Sequence, residues 1–181
     1  QSLINQTIAQ SNGAGSIDTN TQSVTASFGR VTPNWKFGVQ GGVSLIEPAG
    51  KAFPTGNIRI SNSPERSTTV QLDLSRQASP SFYLVAGAMI SNVAQVQIFH
   101  RMTRLLTLRG SVNYGFNEIV PASSNVTFTN LTLNAGLNYK LTKTIALDLF
   151  YDHNDFNTDA PGLSYVVLRN VVGIGLTAEW K

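Results

Sequence analysis

The chain is poor in charge. Asp, Glu, Lys and Arg make up 13% of its 181 residues, about half of the roughly 25% usual in soluble domains. It lacks cysteine altogether, which excludes a disulfide scaffold and a Cys-ligated zinc domain. Its formal net charge is only +3 and no Lys/Arg cluster occurs, so no nucleic-acid partner is expected. A convincing helical stripe is missing too. Ser81 to Phe99 carries no charge, but Ser91, Asn92, Gln95 and Gln97 interrupt it, at a cost in lipid that argues against a spanning helix. The stretch reads as two strands about a tight turn at Ser91-Asn92. The opening Gln1-Ser2-Leu3-Ile4-Asn5 has neither a basic nor a following apolar region, so no signal peptide is expected there.

What the chain does have is polar but uncharged. Ser, Thr and Asn account for 50 of the 181 residues, while 41% are hydrophobic, too many for disorder. These two sets alternate with a period of two. In the last stretch Val172, Ile174, Leu176, Ala178 and Trp180 share one face, and Val171, Gly173, Gly175, Thr177 and Glu179 the other. Similar alternation marks strands at 35–45, 70–77, 106–116, 131–140 and 145–152, and weaker strands cover about 22–30, 81–90 and 93–102. The spacing predicts nine strands of roughly nine to thirteen residues. Tight turns are expected at Val31-Thr32-Pro33-Asn34, Ala78-Ser79-Pro80, Met102-Thr103-Arg104 and Leu141-Thr142-Lys143, and long loops at 47–66, 117–124 and 153–163. Short turns at one end and long loops at the other describe an up-and-down antiparallel meander.

A soluble β-domain buries its apolar face, whereas a membrane barrel turns that face to lipid and lines its lumen with the polar one. Three features favour the barrel. The strands reach the roughly nine to eleven residues that cross a bilayer when tilted. Aromatic residues, Trp35, Tyr83, Tyr114, Phe116, Tyr139, Tyr151 and Trp180, fall near expected strand ends. The polar face has few charges. Alternation then assigns Lys36, Asp73, Arg109, Lys140, Asp148, Arg169 and Glu179 to the lumen, and Trp35, Leu147, Leu149, Tyr151, Leu176 and Trp180 to lipid or its interface, with Leu147 taken at mid-depth. Their mixed signs argue against a strongly ion-selective ring; the same charges could instead pair across strands and stiffen the wall. Because bacterial barrels normally have an even number of strands, nine leave one unpaired. Residues 1–20 are then an extracellular loop or the end of a preceding strand, and residues 21–181 are barrel strands. Either a tenth strand closes the barrel or the chain is the C-terminal part of a larger, even-stranded one.

The ending Thr177-Ala178-Glu179-Trp180 resembles the C-terminal signal of outer-membrane barrels, here followed by Lys181. A unit of polar turn, Thr and basic residue recurs in Arg30-Val31-Thr32-Pro33-Asn34-Trp35, His100-Arg101-Met102-Thr103-Arg104-Leu105 and Tyr139-Lys140-Leu141-Thr142-Lys143-Thr144. Leu74-Ser75-Arg76-Gln77 and Leu168-Arg169-Asn170 add to it. Together these units resemble the bacterial outer-membrane β-barrel porins found with exopolysaccharide export and exosortase systems, over about Thr21 to Trp180. The resemblance implies a wide barrel, a passive pore or export channel for polar solutes such as polysaccharide, and partners in outer-membrane lipid and periplasmic export or surface-assembly components.

Other chemistry is sparse. No phosphate loop or nucleophile elbow occurs, and no enzyme activity, metal or cofactor is expected. His100 and His153 fall at opposite rims. Asp152 and Asp155 could orient His153 in a rim enzyme. Asp155, Asn157 and Asp159 have the spacing that opens a calcium loop, but Ala160 and Val166 stand where Gly and Glu are needed. A further alternative is a plugged barrel acting as a scaffold in a cell-surface assembly.

Overall fold

The structure, a computed structural model, describes residues 20–47, 50–65, 67–81, 87–120 and 126–178. Every regular element among them is a strand: β1 (Asn20–Val31), β2 (Trp35–Glu47), β3 (Lys51–Glu65), β4 (Thr68–Pro80), β5 (Ala88–Arg101), β6 (Leu106–Val120), β7 (Thr127–Lys140), β8 (Ile145–Ala160) and β9 (Leu163–Ala178). They form one sheet in chain order, each pair antiparallel. The fold is therefore all-β and up-and-down, as expected, and the sheet is open among the described residues.

The count of nine agrees with expectation through two errors that cancel. Residues 47–66 are not a long loop, because β3 fills them. Its signal is broken by Pro54, Gly56 and Pro64. Pro54 is tolerated because the β3–β4 ladder stops at Gly56–Arg76, so β3 has a neighbour on one side only there. Nor is there a turn at Ser91-Asn92: β5 runs straight through both, paired with Gln77 and Arg76. Ala78-Ser79-Pro80 ends β4 rather than forming a turn. The expected loop at 153–163 is mostly strand, since β8 and β9 meet at Pro161-Gly162, where Gly162 has φ 78°, a value glycine adopts without strain.

The recurring Thr units are turns with a shared chemistry. The Oγ1 of Thr32, Thr103 and Thr142 accepts from the amide of the first residue of the next strand, Trp35, Leu106 and Ile145, at 3.1, 3.0 and 2.9 Å. The backbone amide of each Thr donates to the carbonyl of that same residue. A hydroxyl thus replaces a ladder partner and closes the hairpin tightly. All three turns lie at one end of the sheet, and β9 finishes at that end.

Paired residues share a face. One face carries Val24, Phe28, Val96, Ile98, Val172 and Ile174, all exposed. Its apolar residues form a band bounded by polar ones, Gln22 and Arg30 on β1 and Asn92 and His100 on β5. The band crosses the sheet at a slant. Its centre is Ala26 on β1, Val96 on β5 and Ile174 on β9. The pairing line from Ala26 runs through Gly41, Gly56 and Arg76 to Asn92, four residues short of Val96. The line from Val96 runs through Val112, Leu133 and His153 to Asn170, four residues short of Ile174. Four residues over four strands, twice, is one residue per strand. With about 3.3 Å per residue and about 4.8 Å between strands, the strands tilt about 35° from the band's normal. On β8 the middle of the band lies between Leu149 and Tyr151; Leu147 lies towards the short-turn edge. Tyr151 is thus mid-strand rather than at a strand end.

Packing is thin for the mass. The accessible surface is 12428 Å², against about 8,500 Å² for a globular monomer of this size. Among the described residues the buried hydrophobic ones are Ile46, Phe53, Ala88, Ile90, Ile119 and Phe128, all towards the end opposite the Thr turns. A close approach joins β1 to β2: a Cβ on Gly42 would lie 2.2 Å from the Val24 carbonyl oxygen and 2.9 Å from Thr25 Cα. Gly42→Ala should therefore cost about 1–3 kcal/mol through overpacking. Gly38→Ala, where nothing lies within 4 Å, should cost under about 0.5 kcal/mol. Urea unfolding of both variants in lipid vesicles measures the difference.

Candidate functional site

The face opposite the apolar band is built by the same alternation. Next to the apolar line through Val96 runs a polar one: Gly29, Gly38, Arg59, Asp73, Gln95, Asn113, Thr132, Asn154 and Arg169. Lys36, Asp73, Arg109, Lys140, Asp148 and Arg169 all lie on this face. Trp35, Leu147, Leu149, Tyr151 and Leu176 lie on the other and are exposed. Glu179 and Trp180 lie outside the described residues.

The polar-face charges fall into two sets. Asp148 is the hub of the first. Its Oδ1 accepts from Arg109 Nη2 at 2.9 Å and from Asn138 Nδ2 at 2.9 Å, and its Oδ2 from the Thr177 hydroxyl at 3.3 Å. Arg109 is on β6 and Asp148 on β8, so the bridge spans β7. It passes over Gly136, the residue paired with Arg109, where a Cβ would lie 3.7 Å from Arg109 Nε. Asp73 is held similarly, by Arg59 and by Gln71 Nε2. Cross-strand pairing is thus what Asp73, Arg109 and Asp148 do. Neutral partners extend the lattice: Thr132 to Asn154 at 2.6 Å and Asn134 to Ser111 at 3.0 Å. Lys36, Lys140 and Arg169 form the second set, with no side-chain partner among the described residues.

Arg59, Gln71, Asn138 and Thr177 were missed by the sequence reading. Arg59 was hidden because β3 reads as a loop. The others carry no charge, and only the register brings them to a carboxylate. Around Gly136 the polar face sinks into a recess of about 310 Å³, lined among others by Gln97, Arg109, Ser111, Asn134, Phe150 and Asp152. At the far end of this face Phe128 and Phe156 stack at 6.1 Å between ring centroids, and Tyr165 lies 6.2 Å beyond. Charge also divides along the strands. Most of the cations near the strand ends, Arg30, Lys36, Arg101, Arg104, Lys140 and Lys143, stand at the Thr-turn end, with Glu65 among them, while Glu47, Glu118, Asp155 and Asp159 stand towards the other, with Lys51 and Arg76.

The rim chemistry takes a different form from that expected. His100 lies at the Thr-turn end of β5, its Nδ1 2.8 Å from the Thr68 hydroxyl, whereas His153 lies mid-strand in β8, paired with Leu133 and Asn170, and not at a rim. His153 Nδ1 is 2.7 Å from Asn170 Oδ1, which also accepts from the Tyr151 hydroxyl at 2.9 Å. Asp152 points to the opposite face by alternation, so it cannot orient His153. Asp155, Asn157 and Asp159 stand at alternate positions of the extended β8, which is not the curled loop calcium needs. No group of three His, Cys, Asp or Glu among the described residues could hold a metal.

A single sheet of consecutive antiparallel strands, tilted about 35° from the normal of an exposed apolar band and hydrogen-bonded across its other face, has the architecture of a membrane β-barrel wall. The chain belongs to the family described as "Putative beta-barrel porin 2", whose model matches residues 56–180. No curated protein matches it. Among solved structures it is similar in fold to the outer-membrane expressed OmpT of Vibrio cholerae, with a TM-score of 0.61 and 10% identity over 89% of this chain and 57% of that one. It is similar likewise to the outer-membrane channel DcaP of Acinetobacter baumannii, with a TM-score of 0.60 and 12% identity over 94% of this chain and 55% of that one. The chain thus spans little more than half the length of either. It is a porin-like barrel protein of the outer membrane.

Because Asp148 ties β6, β7 and β9 together through β8, Asp148→Ala should cost about 1–2 kcal/mol, the scale of hydrogen bonds to a charged group. Lys36→Ala should cost under about 0.5 kcal/mol. Denaturant unfolding in vesicles compares the two.

Proposed function

We propose that the apolar band meets lipid and the polar face lines a water-filled pore, through which polar solutes cross the outer membrane passively, polysaccharide among them. The slanted band carries this reading. Eight residues between its polar edges on β1 and β5 (30 − 22 and 100 − 92), inclined about 35°, give a height of about 22 Å, close to the roughly 25 Å apolar belt of membrane barrels. On β1, β4 and β5 the polar bounds keep the same eight-residue spacing (22 and 30, 68 and 76, 92 and 100) while shifting along the strands, which a face buried in a soluble core would have no reason to do. Lys36, Asp73, Arg109, Lys140, Asp148 and Arg169, with Glu179 by alternation, would line the pore. Trp35, Leu147, Leu149, Tyr151, Leu176 and Trp180 would face lipid or its interface. Paired charges and amide-rich neutral neighbours leave a wall that hydrates a bulky glycan without trapping it.

The open edges at β1 and β9 would need partners in lipid, where an unpaired amide has no water. Nine strands over 57% or 55% of the two similar chains scale to about sixteen in a complete barrel, since 9/0.57 and 9/0.55 are both near that number, a size that leaves an aqueous channel. Residues 1–20 would then begin at the extracellular end, as loop or as the top of a preceding strand. The aromatic cluster of Phe128, Phe156 and Tyr165 on the polar face favours a second reading: that the far mouth is closed and the barrel serves as a scaffold for periplasmic export or surface-assembly components.

Planar-bilayer recordings of the full-length protein separate the two. Stepwise conductance supports the pore; a silent membrane with correctly folded protein rejects it. The depth assignment has its own test. Val96→Arg and Ile174→Arg, at the middle of the band, should each cost about 2–4 kcal/mol, while Leu147→Arg near its edge should cost about 0–1 kcal/mol. Equal costs, measured by unfolding from vesicles, would reject the slanted band.

A further inference from the structure

The apolar face holds a groove of about 560 Å³ between β2 and β6. Val39, Ile58, Leu74, Tyr114 and Phe116 wall it, and small residues, Gly56 and Ala94, leave it open. All of these stand on the apolar face by register. At one end of the groove are Arg76 and Asn92. Arg76 is paired with Gly56 on one side and Asn92 on the other, so it shares the apolar face despite its charge. Its Nη1 donates to Asn92 Oδ1 at 2.8 Å, and the guanidinium has no other side-chain partner among the described residues. Thr68 closes the band on the same strand at the Thr-turn edge, eight residues away (76 − 68). Arg76 therefore stands at the opposite edge, at head-group depth if the band lies in the bilayer.

We propose that this groove binds one acyl chain of a phosphate-bearing lipid, with its phosphate on the Arg76 guanidinium. An Arg that merely reached for water from the apolar face would need no groove beneath it. Here the planar fork meets a phosphate through two N–H donors, and the trough takes the chain whose head the fork holds. Asn92 keeps the guanidinium at the mouth of the trough. The inference rests on the placement of the apolar band in lipid and is independent of whether the lumen conducts.

The test is native mass spectrometry of the full-length protein in detergent micelles, titrated with dipalmitoyl phosphatidylglycerol, dipalmitoylglycerol or inorganic phosphate. One saturable phosphatidylglycerol adduct is expected, with neither dipalmitoylglycerol nor phosphate alone matching it. Arg76→Gln should weaken it about tenfold, the loss of a charge-assisted contact. Ala94→Phe, which fills the trough and keeps the charge, should weaken it comparably, with Ala94→Leu as a milder filling. Phosphatidylglycerol binding unchanged in both Arg76→Gln and Ala94→Phe, or dipalmitoylglycerol binding as tightly as its phosphorylated counterpart, would overturn the site. Inorganic phosphate binding as tightly, without sensitivity to Ala94→Phe, would overturn the chain-binding part. Failure of the membrane placement itself would show separately, as protein that does not insert into vesicles.

Discussion

A backbone amide surrounded by hydrocarbon has no water to bond, and a strand can satisfy it only through its neighbours. In this chain that requirement is met by a continuous ladder between consecutive strands, with almost no core beneath it. Among the described residues few hydrophobic side chains are buried, and many large ones on one face are exposed. The order of energies is thus reversed from a globular domain. The ladder and its register come first, and side chains are sorted afterwards to one solvent or the other.

The register does more than hold the sheet. Stepping by one residue per strand, it tilts the strands, and the tilt turns an eight-residue apolar stretch into a belt of near-membrane height. The Thr turns serve the same end, because a hydroxyl that accepts from the next strand's first amide closes each hairpin without adding residues that would let the step drift. On the polar face the register brings Asp148 within reach of side chains on three other strands, across a glycine that gives Arg109 its passage. Charge on that wall is mainly used to hold the wall together. The cations without partners are the exception, several of them at the Thr-turn end, where a solute or a partner would meet them.

Much of this was legible. The two-residue period separates Leu147, Leu149 and Leu176 from Asp148, Gly175 and Thr177 with no structure needed, and the Thr-plus-basic units mark three hairpins correctly. β3 was not legible, because Pro54, Gly56 and Pro64 look like loop residues, and the two prolines are tolerated only where a neighbouring ladder is interrupted or has ended. The false turn at Ser91-Asn92 has the converse cause. Its polar residues look like punctuation, but Asn92 stands there as the partner of Arg76. Of the two carboxylates near His153, alternation places Asp152 on the other face and leaves Asp155 on the same one.

By itself the sequence determines which residues share a face, because in an extended chain that depends only on parity along the backbone. It determines the tight hairpins too, because each is closed by atoms within three residues of one another. Depth, partner and groove belong to the tertiary structure. Whether Leu147 or Leu149 lies nearer the middle of the band, whether Arg109 meets Asp148, and whether Arg76 stands over a trough all depend on the offset between strands. That offset is set by hydrogen bonds between segments far apart in the chain, and no local pattern records it.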